Sequence, residues 1–248
     1  MSPRFDADEL FGEDYLYFYA GMLGDERSDE DTAAAVARAG IAPGGRLLDA
    51  PCGHGRMAVR LAQQGFAVTG VDRSTRFLEV ARSEAAQLGV EVELVEGDLR
   101  ALPVDGPFDA VVCWFTSYGY FDDKENQAVL EEFHRVLRPG GVLVLETLSH
   151  DAYVRSFTQT PDAIVVDVEG DLMVDRNDFD VHSGSIVCHR VTIRGAARRE
   201  ARFTIRLPTL PEWRRSLADA GFGSVTFSDA AGDPVDLETW RLVVRAVA

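Results

Sequence analysis

The stretch from Arg46 to Ala58, RLLDAPCGHGRMA, decides the fold of this 248-residue chain. Its first four residues predict a short buried strand that ends in the carboxylate of Asp49. Gly53 and Gly55 predict a tight turn, and the residues after them predict a helix over 57–64. Such a turn between a strand and a helix lets the backbone approach a ligand closely and leaves helix N–H groups facing it. The stretch therefore predicts a ligand-binding turn.

The carboxylate of Asp49 narrows the class of ligand. The spacing of Gly53, Gly55 and Ala58 also fits the G-x-G-x-x-A fingerprint of dinucleotide-binding proteins. A carboxylate at the strand end repels a pyrophosphate, however, and attracts an ammonium group. A ligand with an ammonium group for Asp49, a carboxylate for the helix N-terminus and no phosphate fits better. S-adenosylmethionine has this chemistry.

On both sides of this turn, strand and helix patterns alternate, which indicates a doubly wound α/β fold. We expect a mostly parallel, seven-stranded sheet of the Rossmann-like kind. The predicted strands are 46–49, 67–72, 91–96, 108–115, 142–147, 222–228 and 240–246. The predicted helices after the first are 75–88, with Ser74 as N-cap, 124–137, and 211–220, with Thr209 as N-cap.

Two segments depart from this alternation and suggest further parts of the molecule. Residues 150–206 contain β-like runs at 164–168, 186–193 and 202–207, separated by glycine and charged turns. We interpret them as an antiparallel β insertion after the fifth strand that roofs an acceptor site. Residues 1–40 are acidic with an aromatic run, and we interpret them as an N-terminal helical lid. Residues 41–149 and 207–248 then form the core.

Acidic and aromatic residues follow the predicted strands where a parallel sheet places its ligands. Asp72 follows the glycine turn at close to the roughly 20-residue offset at which an acid holds ribose hydroxyls. Asp98 is placed to accept from an adenine amino group, while the Leu99 N–H donates to a ring nitrogen. The fourth strand leads into an aromatic run, 114–121, that includes Phe115.

With these motifs in view, the segment from about 46 to 148 resembles the core of class I S-adenosylmethionine-dependent methyltransferases. The first motif is matched by residues 49–55, the ribose acid by Asp72, and the adenine contact by residues 97–99. The turn before the fifth strand is matched by 138–141 and the approach to the sixth by 220–222. Pro51 stands where many members carry glycine.

This resemblance implies S-adenosylmethionine as cofactor and a methyltransferase acting on a small molecule, with an O or N atom as acceptor. The aromatic run and the insertion are similar to small-molecule methyltransferases, including those that methylate amino sugars on natural products. The predicted cofactor contacts are Tyr19, Asp49, Pro51, Gly53, Gly55, Asp72, Arg73, Asp98, Leu99 and Phe115.

The chemical step requires little from side chains, because alignment can supply most of the barrier reduction. A base is needed only for an acceptor that must lose a proton. His150, just beyond the fifth strand, is the predicted base, and Tyr118 is the second predicted catalytic residue. His182 and His189 lie in the insertion without ligand-type neighbours in a recognisable spacing, so no metal site is predicted.

Composition bears on partners and compartment. A net charge of −16 disfavours nucleic acid as a partner, and no apolar run approaches the length of a membrane span. Three cysteines without paired spacing and an acidic N-terminus fit a cytoplasmic protein. We expect a small-molecule methyl acceptor, neither nucleic acid nor membrane as partner, and leave a homodimer open.

Three alternatives remain open at this point. A nicotinamide-dependent oxidoreductase uses the same turn, although Asp49 and Gly97-Asp98-Leu99 speak against it. A non-catalytic S-adenosylmethionine-binding protein is compatible because no residue is obligatory for the chemical step. A protein methyltransferase is compatible with the acidic surface.

Overall fold

A computed structural model describes residues 10–157 and 163–248 of the chain. The strands in these ranges are β1 (Arg46–Asp49), β2 (Ala67–Asp72), β3 (Glu93–Glu96), β4 (Phe108–Cys113), β5 (Leu137–Leu148), β6 (Ala163–Val168), β7 (Asp171–Asp180), β8 (Ser185–Arg194), β9 (Ala197–Arg206), β10 (Ser224–Ser228) and β11 (Arg241–Val247). The helices are α1 (Glu13–Tyr19), α2 (Asp25–Ala39), α3 (Arg56–Gln63), α4 (Thr75–Leu88), α5 (Asp123–Val136), α6 (His150–Phe157) and α7 (Leu210–Asp219).

The larger sheet has seven strands within the described ranges, in the order β10-β11-β5-β4-β1-β2-β3. β1 to β5 run parallel, and β11 pairs antiparallel with both β5 and β10. This arrangement confirms the predicted doubly wound, mostly parallel fold. β5 begins five residues before its prediction because Leu137 pairs with Phe108 of β4, and the strand continues through Gly140 and Gly141, which are hydrogen-bonded to Ala248.

The second sheet is antiparallel, in the order β6-β7-β8-β9, and confirms the predicted insertion after β5. The sequence predicts three of these strands and misses β7, whose sequence DLMVDRNDFD includes four aspartates. The insertion also begins with a helix, α6, which was not predicted. Residues 1–9 of the predicted lid and 158–162 of the predicted insertion lie outside the described residues.

Helices cover both faces of the larger sheet and bury its apolar side chains. On one face, Phe133 of α5 and Trp213 of α7 are fully buried. On the other face, α2 and α3 contribute Ala35 and Leu61. Two predicted caps are confirmed, since Ser74 accepts from the Phe77 N–H and Thr209 forms a capping box with Glu212. No helix in the described ranges is long and apolar enough to cross a bilayer.

Candidate functional site

A cavity lies beyond the carboxyl ends of β1, β2, β3 and β4. The residues that line it come from the loops after these strands, from the starts of α3 and α4, and from the segment around α1. They are Phe11, Tyr15, Asp49, Pro51, Cys52, Gly53, His54, Arg56, Met57, Asp72, Arg73, Ser74, Phe77, Gly97, Asp98, Leu99, Trp114, Phe115, Ser117 and Tyr120.

Two glycines shape the turn on which this cavity rests. Gly53 and Gly55 have φ angles of +56° and +86°, in the left-handed region that favours glycine. A Cβ on Gly55 would lie 2.6 Å from the Cβ of Ala81 in α4. Gly55 therefore lets α3 begin close against α4. It positions the turn without lining the cavity.

Asp72 connects the glycine turn to the next helix. Its Oδ2 accepts from the Gly53 N–H and its Oδ1 from the Ser74 N–H, both at 2.8 Å. The side chain is buried, which raises its pKa, while these backbone donors act in the opposite direction. Each carboxylate oxygen accepts more than one hydrogen bond, so both remain able to receive a ligand hydroxyl.

Asp49 is buried at the end of β1, with 2% of its surface exposed. Burial raises its pKa to about 7, and the Arg56 guanidinium nearby acts in the opposite direction. Its Oδ2 has no hydrogen-bond partner among the described residues. An unpaired acceptor of this kind, lining the cavity, fits a ligand that brings an ammonium group. The residues present therefore fit S-adenosylmethionine at this position.

Asp98 is held by Arg100, a residue that the sequence did not single out. The Arg100 guanidinium contacts both carboxylate oxygens, at 3.0 Å and 2.6 Å, and lowers the pKa of Asp98. The Arg100 N–H also donates to Oδ1. Asp98 is thus ionised and fixed in orientation at the cavity wall, next to Leu99.

The loop after β4 is fixed by a buried carboxylate. Phe115 and Thr116 have φ angles of +62° and +54°, which are strained for residues with side chains. Glu146 in β5 accepts the Phe115 N–H at 2.8 Å through its side chain and the Thr116 N–H at 3.1 Å through its carbonyl. Glu146 therefore holds the backbone that presents the Phe115 ring to the cavity.

Two arginines flank the Phe115 ring. The guanidinium carbons of Arg56 and Arg241 lie 5.4 Å and 5.1 Å from its centroid, within the range of cation–π attraction. Arg56 pairs with Asp31 of α2 at 2.8 Å, and Arg241 pairs with Glu146. Burial lowers the pKa of Arg241 to about 10.

Helix α1 covers the cavity through its aromatic face. Tyr15 lines the cavity, stacks on Tyr19 with ring centroids 4.4 Å apart, and contacts Phe77 of α4 at 5.5 Å. Tyr19, the predicted contact, does not line the cavity. Its hydroxyl accepts from Arg190 of β8 at 3.0 Å, and Arg190 is buried against Asp175. The sequence predicted Tyr19 as the tyrosine at the cofactor site, but the tyrosine of α1 that lines the cavity is Tyr15, one helical turn earlier.

Charged groups at the start of α1 connect both parts of the molecule. Asp14 pairs with Arg199 of β9 at 2.7 Å, and Glu13 pairs with Arg76 of α4 at 2.8 Å. The helix therefore bridges the four-stranded sheet and the core across the cavity.

Neither predicted catalytic residue lines the cavity. His150 begins α6, where its Nδ1 lies 2.8 Å from the Asp151 carboxylate and its ring contacts Phe179. Tyr118 is buried in the core against Trp213, with ring centroids 4.9 Å apart, and burial raises the pKa of its hydroxyl. A residue that follows a strand end can point its side chain in any direction. The side chains of His150 and Tyr118 both point away from the cavity.

The cofactor residues predicted from the sequence are largely brought together. The eight that line the cavity are Asp49, Pro51, Gly53, Asp72, Arg73, Asp98, Leu99 and Phe115. Sequence reasoning missed Arg56, whose position at the start of the predicted helix was a usable signal. It also missed Phe11 and Phe77, for which local sequence gave no signal.

Residues 47–141 match the family model described as "Methyltransferase domain". A relative in Bacillus subtilis, "Putative methyltransferase YqeM", is 35% identical over 52% of this chain and 51% of its own length. The chain thus spans about half the length of this curated relative.

Solved structures resemble the chain over nearly its whole length. One is the CcbJ methyltransferase from Streptomyces caelestis, with a TM-score of 0.81 and 21% identity, covering 98% of this chain and 99% of that one. Another is CalS10 from Micromonospora echinaspora, an amino pentose methyltransferase solved with S-adenosylmethionine bound, with a TM-score of 0.66 and 23% identity, covering 97% and 99%. At these identities the likeness establishes the fold.

Proposed function

We propose that this chain is a class I S-adenosylmethionine-dependent methyltransferase and that it methylates an amine nitrogen of a small molecule. The match of residues 47–141 to a methyltransferase domain supports the methyltransferase class and the cofactor predicted from the sequence. The proposal of an amine acceptor rests on the residues that line the cavity.

The cavity has a polar half and an aromatic half. Its polar half is formed by the loops after β1, β2 and β3, where Asp49, Asp72 and Asp98 would hold the cofactor. The aromatic half is formed by the α1 segment and the loop after β4. Its lining residues in the described ranges are Phe11, Tyr15, Trp114, Phe115, Ser117 and Tyr120. Since these six include no carboxylate, histidine or lysine, no ordinary base is present in this half.

The tyrosines do not replace a base. Burial raises the pKa of both Tyr15 and Tyr120, so their hydroxyls stay protonated and act as hydrogen-bond donors. His54 lines the cavity from the glycine turn, but burial lowers its pKa to about 4, so it is a weak base.

An amine acceptor needs no base at the moment of attack, because a neutral amine already carries a free lone pair. The cofactor, when bound, supplies a methyl group activated by a positive sulfur. The chain then has only to exclude water and align the acceptor, which suits an enclosed aromatic wall. Aromatic faces also attract the cationic product. An alcohol or phenol would instead require a base.

Two further observations support a small amine. The chain's net charge of −16 disfavours polyanions and favours cationic or neutral acceptors. The amino pentose methyltransferase is among its structural neighbours.

The test is a screen with labelled methyl donor. Small amines, including amino sugars, are compared with matched alcohols and phenols. We expect label in amines, with a rate that rises with pH as the acceptor loses its proton. His150→Ala should leave that rate and its pH profile within a few-fold of wild type. Label confined to hydroxyl acceptors, or a large loss of turnover in His150→Ala, would refute the proposal and restore His150 as base.

A further inference from the structure

The loop after β3 folds the side chain of Arg100 back onto Asp98. The Ala101 N–H donates to the Asp98 carbonyl at 3.0 Å and closes a tight turn. Within this turn, the Arg100 N–H donates to Asp98 Oδ1, and the Arg100 guanidinium donates to both carboxylate oxygens. Asp98 lines the cavity, whereas Arg100 is not one of the lining residues. Arg100 therefore acts on a bound ligand through Asp98.

Two residues at the start of α5 and just before it also hold the Arg100 guanidinium. Its Nη1 donates to the carboxylate of Glu125, in the first turn of the helix. Its central carbon lies 4.4 Å from the centroid of the Phe121 ring, within the range of cation–π attraction. A planar guanidinium that is held at three places has one orientation. The Asp98 carboxylate that it contacts is therefore fixed, although its side chain is 32% exposed.

The hydrogen bonds to Asp98 leave one direction open. A carboxylate offers about four acceptor positions, two on each oxygen. Oδ1 accepts from the Arg100 N–H at 2.9 Å and from Nε at 3.0 Å, while Oδ2 accepts from Nη2 at 2.6 Å. The contacts among the described residues thus leave a single acceptor position, on Oδ2. Arg100 also lowers the pKa of Asp98, so this position carries no proton at neutral pH.

We propose that Arg100 is a positioning residue that sets the purine selectivity of the cofactor site. The proposal rests on the S-adenosylmethionine site proposed above and does not depend on the acceptor. A 6-aminopurine brings an N–H donor to the open position of Oδ2. A 6-oxopurine brings a carbonyl, so two acceptors face each other. A site built to hydrogen-bond one group rejects the analogue that lacks it. Arg100 therefore makes the site select adenine over hypoxanthine.

The same loop offers a matched control. Arg135 of α5 contacts both carboxylate oxygens of Glu132, each at 2.8 Å, and Glu132 accepts the Leu102 N–H at 2.7 Å. This pair also orients a carboxylate against the loop after β3, but neither of its residues lines the cavity. Arg135→Met removes this contact and leaves the contacts between Arg100 and Asp98 in place.

Calorimetry with S-adenosylhomocysteine and its 6-oxo analogue, S-inosylhomocysteine, tests the proposal. Wild type should bind the adenine compound more tightly by about 100-fold or more. Arg100→Met should reduce this ratio to less than about tenfold, because a carboxylate that rotates can turn away from the carbonyl. Arg135→Met should keep the wild-type ratio. Circular dichroism shows that each variant is folded.

Asp98→Asn gives a second test, with Arg100 in place. Two Arg100 donors converge on Oδ1, so the amide oxygen should take that position and the amide nitrogen the position of Oδ2. The open direction then carries a donor instead of an acceptor. We expect the preference to turn towards S-inosylhomocysteine.

The outcomes separate this inference from the function on which it rests. If wild type does not bind S-adenosylhomocysteine, the proposed cofactor site itself is wrong. If wild type binds both compounds equally, or Arg100→Met weakens both by the same factor, Arg100 does not set the selectivity. A ratio that falls equally in Arg135→Met assigns the effect to the loop and overturns the proposal. An Asp98→Asn variant that keeps the wild-type preference overturns it as well.

Discussion

Glu146 accepts the backbone N–H of Phe115 at 2.8 Å, across 31 positions of sequence, and holds the cavity wall in a left-handed conformation. The same carboxylate pairs with Arg241, whose guanidinium lies over the Phe115 ring. One buried acid, 1% exposed, thus fixes both the backbone and the side chain of an aromatic residue at the site.

Glu146→Leu should therefore lower the free energy of unfolding by about 3–5 kcal/mol, as when one partner of a buried pair is removed. Glu146→Leu with Arg241→Leu should be less destabilised, because no guanidinium is then left unpaired. Urea unfolding of the three proteins measures this. If the single and double variants lose the same free energy of unfolding, the unpaired Arg241 guanidinium is not the cause of the destabilisation.

Asp72 provides a second prediction, on ligand binding. Asp72→Ala should weaken S-adenosylhomocysteine binding by about 1–3 kcal/mol, or roughly 5- to 150-fold, because ligand hydroxyls lose their acceptor. Glu96→Ala is a matched control. Glu96 lies on β3, directly beside Asp72 in the strand register, but it does not line the cavity. Calorimetry that finds equal affinity in both variants would remove Asp72 from the ribose site.

The sequence predicted the fold well because its signals were local. The glycine turn, the caps Ser74 and Thr209, and the acids at strand ends each depend on a few neighbouring residues. The contacts that it missed join distant segments. Glu146 meets Arg241 only once β11 pairs with β5, and Arg56 meets Asp31 only once α2 packs on α3. No local pattern reports such pairings.

The same reason explains the placement of His150 and Tyr118. Both follow the strand ends to which the sequence assigned them, but the chain turns at each place. His150 enters α6, and Tyr118 packs inward on Trp213 of α7. The direction of a side chain in a loop depends on tertiary packing. The acceptor side of the site is built largely from loop residues, so it is the part that sequence predicts least well.

Two glycines of the turn offer a matched pair for a third prediction. Both have positive φ, so alanine at either position costs about 1–2 kcal/mol in backbone strain. At Gly53 a Cβ meets no atom within 4 Å, whereas at Gly55 it overlaps Ala81. Gly55→Ala should therefore lose a further 1–3 kcal/mol or so from overpacking. Chemical unfolding without ligand compares them, and equal losses would contradict the close contact with α4.

The last prediction concerns pH and Asp49. Its pKa is raised by burial from 3.8 to about 7 in the folded protein. Between these values the folded state holds a proton that the unfolded state has lost. The contribution of Asp49 to the free energy of unfolding therefore falls as pH rises from about 4 to 7. Asp49→Asn removes this fall, so without ligand the variant should be more stable than wild type at pH 8.

With ligand bound, we expect wild type to be favoured over Asp49→Asn. An ammonium group beside Asp49 favours the ionised carboxylate, so S-adenosylhomocysteine should bind with release of a proton below pH 7. Wild-type affinity should then rise with pH by up to about tenfold per unit until the carboxylate is ionised. Asp49→Asn should bind weakly, without this rise, because the amide carries no charge to pair with the ammonium. Calorimetry in two buffers of different ionisation enthalpy detects the proton directly. If wild type releases none at pH 6, the ligand's ammonium group does not lie beside Asp49.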